Sequence, residues 1–271
     1  MSGRPVIDAQ ELDDARSALD GAHPSEVVGW ALTRFAPART AIVTSLQADG
    51  MAVVEMALRI DPGVRIVTID TGRLPEETYA YLDEVRAHFG RGIEVLLPDA
   101  AAVGRHVSEH GAIAFRASVE RRLDCCHLRK VEPLERLLAT LDCWLTGLRR
   151  DHSVRRGSTP VVELDTAHGG IVKVNPVAGW DEAAVRAHLA VTGVPLHPLY
   201  ADGYRSIGCA PCTRPVAAGD DPRSGRWWWE QGVDKECGIH ATPAPPQHRG
   251  EVAGGCPPAE VRVSARIRRS A

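Results

Sequence analysis

Four of the seven cysteines fall into two pairs: Cys125 and Cys126 are adjacent, and Cys209 and Cys212 form a CxxC within Gly208-Cys209-Ala210-Pro211-Cys212. Four soft thiolates in two pairs are a donor set for Zn or for an iron-sulfur cluster. Adjacent cysteines aim their side chains differently, which is awkward around one small Zn and suits the spread iron corners of a cubane. The spacing therefore favours the cluster. Cys is also a common buried residue, so one pair alone would mean little. Cys143, in an apolar run, reads as core, and Cys256 as incidental. Cys237 lies in Lys235-Glu236-Cys237-Gly238-Ile239-His240. A thiol near a lysine and a histidine can have a lowered pKa and act as a nucleophile. On these features alone, an exposed spare cysteine is an equal reading. An odd number of cysteines argues against a disulfide framework.

Basic residues cluster as Arg129-Lys130, Arg149-Arg150, Arg155-Arg156, and Arg223 with Arg226. Such clusters are commonly solvated faces. Their places beside cysteines and at strand ends point instead to a small polyanion carrying phosphate or sulfate. Trp227-Trp228-Trp229 either packs its loop down or covers a site. The chain as a whole has 271 residues, with 32 Lys+Arg against 35 Asp+Glu, a formal net charge of −3. That balance offers duplex nucleic acid no broad attraction. With 44% hydrophobic and 25% charged residues the composition is that of a folded globular protein. No apolar run approaches the ~18 residues of a membrane span. Met1 to Arg16 carries Asp and Glu where a secretory signal would be apolar, so the expectation is a cytoplasmic chain without membrane or nucleic-acid partners.

The elements that must position these residues alternate. A capped helix follows Pro24-Ser25, with Val28, Ala31, Leu32 and Phe35 at helical spacing. Ala41 to Leu46 reads as a strand, Met51 to Ile60 as a helix and Val64 to Ile69 as a strand. Pro75 opens a helix with Tyr79, Leu82, Val85 and Phe89 inward, and Gly90 is its C-cap. Ile93 to Leu97 is a third strand. A helix carrying Val131, Leu134, Leu137, Leu138 and Leu141, with the first cysteine pair at its start, leads to the strand Cys143 to Thr146. Val161 to Leu164 and Ile171 to Val174 form a hairpin about Gly169-Gly170. Trp180 and Val185 staple a helix capped by Asp181 and ending near Gly193. The pattern predicts an α/β fold, a mostly parallel sheet flanked by helices, with ligand loops after Leu46, Ile69 and Thr146. From Pro195 onward the chain is loop-rich. After His240 it is rich in Pro, Gly and Ala, and reads as a disordered tail.

Seven segments in order resemble the adenylyl-sulfate and phosphoadenylyl-sulfate reductases of sulfate assimilation. They are Thr44-Ser45-Leu46-Gln47-Ala48-Asp49, Ile69-Asp70-Thr71-Gly72-Arg73-Leu74, Cys125-Cys126-His127-Leu128-Arg129-Lys130-Val131-Glu132-Pro133-Leu134, Thr146-Gly147-Leu148-Arg149-Arg150, Lys173-Val174-Asn175-Pro176, Ser206-Ile207-Gly208-Cys209-Ala210-Pro211-Cys212-Thr213, and Glu236-Cys237-Gly238-Ile239-His240. The likeness runs from about Thr33 to His240.

The resemblance implies an adenine-nucleotide α-hydrolase-like (PP-loop type) sheet. It implies a single reductase domain over 1–240, with the nucleotide-binding sheet at about 24–194, cluster and catalytic loops at about 195–240, and the tail at 241–271. Members with both cysteine pairs carry a [4Fe-4S] cluster, here on Cys125, Cys126, Cys209 and Cys212, and typically reduce adenylyl sulfate. Members without them typically require the 3′-phosphate, and a phosphoadenylyl-sulfate or dual-specificity reductase is the alternative. By the same resemblance Cys237 is the catalytic nucleophile, forming an S-sulfocysteine that thioredoxin, or a glutaredoxin-like thiol donor, resolves to sulfite. Lys130, Arg223 and Arg226 match positions around the sulfate, and Ser45, Asp70 and Arg149 lie on nucleotide loops. Gly72 and His240 complete the expected substrate-binding set. The motifs leave open whether the chain works as a homo-oligomer. His152 and Val154 depart from the family pattern, and Gln47 replaces a common Gly. A PP-loop ATP pyrophosphatase, such as a tRNA-thiolating enzyme, would want a Gly-rich SGGxDS loop where this chain has Ser45-Leu46-Gln47-Ala48-Asp49-Gly50. A DNA-binding cluster sensor would want a recognition helix, and none is evident.

Overall fold

The computed structural model describes residues 7–153, 156–230 and 239. Apolar packing begins ahead of Pro24, with α1 (Ala9–Leu19). Asp8 caps this helix by accepting from the Glu11 amide at 2.8 Å, and its Leu12, Ala15 and Leu19 are buried at helical spacing. Arg16 fixes it to the far sheet edge through a bond from Nε to the Val162 carbonyl at 2.8 Å.

The expected alternation follows as α2 (Pro24–Arg34), β1 (Thr40–Val43), α3 (Ala48–Ile60), β2 (Arg65–Ile69), α4 (Glu76–Phe89) and β3 (Glu94–Leu96). Gly90 closes α4 at φ 63°, the left-handed conformation a C-cap glycine supplies. The buried stripe of α4 is Thr78, Tyr81 and Val85. Tyr79, expected inward, sits about 100° around the helix from Thr78; it is 40% exposed, and its hydroxyl donates to Asp70 at 3.0 Å.

Next comes α5 (Ala100–His110), not expected from the sequence; none of its residues is fully buried, and its half-buried face is Ala102, Val103, His106, Val107 and His110. Then α6 (Val119–Cys126), a π-helical turn over His127–Val131 and α7 (Glu132–Leu138) run on continuously. The first cysteine pair therefore ends a helix rather than starting one. Pro133 offers no N–H and would crowd the carbonyl four residues back, and the wide turn just before it absorbs that defect.

β4 (Cys143–Leu145) precedes the hairpin of β5 (Val162–Asp165) and β6 (Ile171–Val174), which pair antiparallel as expected. Last is α8 (Glu182–Thr192), capped by Asp181 on the Ala184 amide and closed by Gly193 at φ 71°. The strand order is β3-β2-β1-β4-β6-β5, parallel except for the last pair. Side chains alternate across the sheet. Ile42, Ile66 and Leu145 join the core under α2 and α3, while Ala41, Val67 and Trp144 pack with Leu134, Leu137 and Leu138 of α7. After β3 the chain returns to lay β4 on the other side of β1. The resulting reversal of strand order leaves a crevice at their C-terminal ends. Among the described residues no helix is long and apolar enough to cross a membrane.

Candidate active site and cysteine centre

A cavity of about 280 Å³ occupies that crevice, walled by the loops after β1, β2 and β4 and by the segment from Arg205 to Cys209. The first loop turns at Leu46, whose φ of 59° is held by its amide donating to Thr44 Oγ1 at 3.0 Å. Gln47 then ties two loops together: its Nε2 donates to Ser45 Oγ at 2.9 Å, and its Oε1 accepts from the Ile207 amide at 2.8 Å. The N-terminus of α3 consequently faces the cavity, with Asp49 in its first turn. The loop after β4 repeats the device. Thr146 Oγ1 accepts from the Leu148 amide at 3.2 Å and donates to Asn175 Oδ1 at 2.6 Å.

Gly147 is where these loops touch. A Cβ there would stand 2.5 Å from the Gly50 nitrogen and 2.8 Å from the Asp49 carbonyl carbon, backbone that no rotamer change can clear. Gly147→Ala should lower stability by about 1–3 kcal/mol through overpacking, seen as a lower melting temperature, and should weaken AMP binding in a titration. Unaltered melting and binding would contradict this account of the contact.

One end of the cavity is built from ion pairs. Arg149, 5% exposed, holds Asp49 through Nη1 at 2.9 Å and Asp151 through Nε at 2.9 Å; His152 Nε2 lies 3.2 Å from the other Asp49 oxygen. Glu182 accepts from Arg186 Nε at 2.8 Å and Arg205 Nη2 at 2.6 Å. Burial raises the Glu182 pKa, but those two hydrogen bonds outweigh it and hold the carboxyl below its usual range. Lys130, Arg223 and Arg226 line the cavity as well.

Cys125 and Cys126 at the end of α6 meet Cys209 and Cys212 around a second, smaller space, packed by Phe115 and Trp227. All four are free thiols. Lys130 and Cys209 line both spaces and so form the wall between them. Burial pushes Cys212 up to about 12 and also raises Cys125. At Cys209 burial is overcome by the charge of Lys130, a 3.2 Å contact with Thr71 Oγ1 and the charges of Arg226 and Arg129, which lower its pKa. Arg129 anchors the β2 loop through a bond from Nη1 to the Thr71 carbonyl at 2.7 Å. Trp227, 1% exposed, lies under Arg122 at 4.3 Å and Arg226 at 4.8 Å, and Arg122 pairs with Glu230 at 2.6 Å. Trp227 thus packs its loop down.

The donor set fits an iron-sulfur cluster. Arg129 Nε and Trp227 Nε1, on residues lining the cysteine space, are buried N–H groups without an acceptor among the described residues. Each such group costs about 1–3 kcal/mol, a cost that an anionic sulfur centre would relieve. Cys125, Cys126, Cys209 and Cys212 all line the smaller space.

A family model described as the phosphoadenosine phosphosulfate reductase domain matches residues 39–215. The chain belongs to the phosphoadenosine phosphosulfate reductase family. It is 47% identical over 211 residues to an adenosine 5′-phosphosulfate reductase of Burkholderia cepacia, covering 78% of this chain and 84% of that one. Identity to the adenosine 5′-phosphosulfate reductase of Allochromatium vinosum is also 47%, over 73% of this chain and 77% of the other. The crystal structure of phosphoadenylyl-sulfate reductase from Candida auris, a phosphate complex, superposes with a TM-score of 0.67 at 26% identity, covering 79% of this chain and all of that one. A Candida glabrata FMN adenylyltransferase, with a TM-score of 0.50 at 13% identity over 89% of this chain and 86% of that one, shares the fold alone. The adenine-nucleotide α-hydrolase-like fold stands.

Within this family member Ser45, Lys130, Arg149, Arg223 and Arg226 come together on the cavity lining. Asp70 and Gly72, expected in the substrate-binding set, are not on the cavity lining, although their neighbours Ile69 and Thr71 are. Asp70 Oδ1 accepts from the Gly72 amide at 2.7 Å, and Gly72 takes φ 66°. Cys237, His240, Val154, Cys256 and the tail at 241–271 lie outside the described residues. Ile239 is described; it lines the cavity and packs with the cluster of Ala41, Val67 and Trp144. The sequence reading passed over Thr71, Glu182, Arg186 and Arg205. Arg205 abuts the motif that begins at Ser206, and Thr71 lies inside another, so both had a signal. Glu182 and Arg186 had none beyond an ordinary i,i+4 pair on a helix.

Proposed function

We propose that this chain reduces adenylyl sulfate to sulfite and AMP in sulfate assimilation, with Cys237 as nucleophile and thioredoxin as electron donor. The observation that carries the reading is the shared wall, in which Lys130 and Cys209 border both the nucleotide-type cavity and the four-cysteine centre. The Cys237 thiolate attacks the sulfate sulfur, the sulfur–oxygen bond to the phosphate breaks, and AMP departs, leaving an S-sulfocysteine. A thioredoxin thiolate then attacks Cys237 Sγ and releases sulfite; its second thiol resolves the mixed disulfide, so the two thiols supply both electrons. Lys130, Arg223 and Arg226 hold the sulfate and the charge that grows on the leaving phosphate. Cys125, Cys126, Cys209 and Cys212 would hold a [4Fe-4S] cluster, which when bound supplies polarisable charge beside Lys130 and needs no change of oxidation state. Reduced thioredoxin is maintained in the cytoplasm, where we place the reaction.

The test incubates the anaerobically purified protein with reduced thioredoxin and, in parallel, adenylyl sulfate, its 3′-phosphorylated form, and ATP. Sulfite from adenylyl sulfate is expected to dominate. Pyrophosphate release from ATP without sulfite from either sulfate would replace this reading with a pyrophosphatase.

A further inference from the structure

We propose that Glu182 and Asp49 make the cavity reject a 3′-phosphate, by occupying the guanidinium groups that would otherwise bind one. This rests on the function proposed above, which places the sulfate beside Lys130, Arg223, Arg226 and Cys209. The nucleoside then extends toward the remaining lining, where Asp49, Arg149, Glu182, Arg186 and Arg205 lie. Tyr200 unites that end: its ring lies under Arg186 at 4.9 Å, and its hydroxyl accepts from the Ala48 amide, next to Asp49, at 3.1 Å.

Arginine is the side chain best suited to grip a phosphate, through parallel N–H groups. Here those groups hold carboxylates. Arg149 is shared between Asp49 and Asp151, His152 lies against the second Asp49 oxygen, and Arg186 and Arg205 both donate to Glu182. Arg156, also on the lining, reaches His152 Nδ1 at 3.3 Å. A 3′-phosphate would bring about two negative charges against Asp49, Asp151 and Glu182, or would have to compete with carboxylates already paired to those guanidinium groups. A ribose hydroxyl does neither. Specificity of this kind is a repulsive element built against the competitor.

The experiment titrates AMP and adenosine 3′,5′-bisphosphate into wild type, Glu182→Gln and Asp49→Asn, and measures sulfite from the two sulfates in the same samples. Wild type should bind AMP more tightly than the bisphosphate. Each substitution keeps the shape, removes one negative charge and releases cations, so the affinity ratio should move toward the bisphosphate by about tenfold, an interaction energy ordinary for charges a few ångströms apart. The ratio of kcat/KM for the two sulfates should follow. Either variant suffices if the other fails to fold, as judged by circular dichroism. A ratio within threefold of wild type in every folded variant, or a wild type that prefers the bisphosphate, overturns the proposal. Absence of sulfite from either substrate in wild type would sink the functional reading instead, while the nucleotide affinities still judge this one.

Discussion

Cys237→Ser should abolish sulfite formation, by at least about a thousandfold, while the protein stays folded and coloured. The substitution keeps nearly the same shape but puts a hydroxyl, barely ionised at neutral pH, where a thiolate must attack sulfur. The four paired cysteines are different residues, so Cys237→Ser removes none of their thiols. Wild type given adenylyl sulfate without thioredoxin should stop after the first half-reaction. The peptide containing Cys237 should then be heavier by about 80 Da, the mass of SO3 added by covalent catalysis, and reduced thioredoxin should remove the adduct. Full activity in Cys237→Ser, or the adduct on Cys256, would overturn the mechanism.

The strands were readable because most are short apolar runs bounded by turn residues, whereas their order, with β4 beside β1, is set by a crossover that no single strand's pattern encodes. Its caps were readable too, since Gly90, Gly193 and Asp181 occupy positions that only a few residue types fill. What escaped reading was the structure held by other means. Helix α5 turns only a half-buried stripe inward, and that stripe is Ala102, Val103, His106, Val107 and His110, too short of large apolar residues to stand out. The π-helical turn at His127–Val131 merges two helices that periodicity alone would separate, which moved Cys125 and Cys126 from an expected helix start to the end of α6. Tyr79 looked like core because it is aromatic, yet its hydroxyl reaches Asp70 while Tyr81 takes the buried place.

For the site, sequence motifs named the cavity residues that belong to local signatures, such as Ser45 and Arg149. They could not show Arg205 meeting Glu182 across 23 positions, or Gln47 meeting Ile207 across 160. Those pairs are set by how loops from separate strands converge, and one strand's pattern does not encode another's neighbour. The same convergence brings Cys209 against Thr71, so the cysteine loop is positioned by β2 as much as by its own Gly and Pro residues.

That placement makes Cys209 the most consequential of the four paired thiols to remove. It is 7% exposed, borders both the substrate cavity and the cysteine space, and lies where Lys130, Arg226 and Arg129 all bias it toward the thiolate. In Cys209→Ser a hard, protonated hydroxyl replaces a soft anionic ligand, and the buried N–H groups of Arg129 and Trp227 keep their unmet demand. Protein purified without oxygen should therefore lose its brown absorption, and iron should fall from about four per chain, one for each thiolate of a cubane, to a small fraction of that. Melting should fall by several degrees, because a ligand bound only by the folded state stabilises it. Cys125→Ser should be milder, since Cys125 is only half-buried. Cys143 supplies the control that separates a ligand from a buried thiol. It is fully enclosed in β4, where burial raises its pKa, and it packs in the core under α2 and α3. Cys143→Ser should cost about 1–3 kcal/mol for burying a hydroxyl while leaving colour and iron unchanged. A colourless wild type holding stoichiometric Zn, or equal iron loss in Cys143→Ser and Cys209→Ser, would show that the four thiols do not form the centre assigned to them.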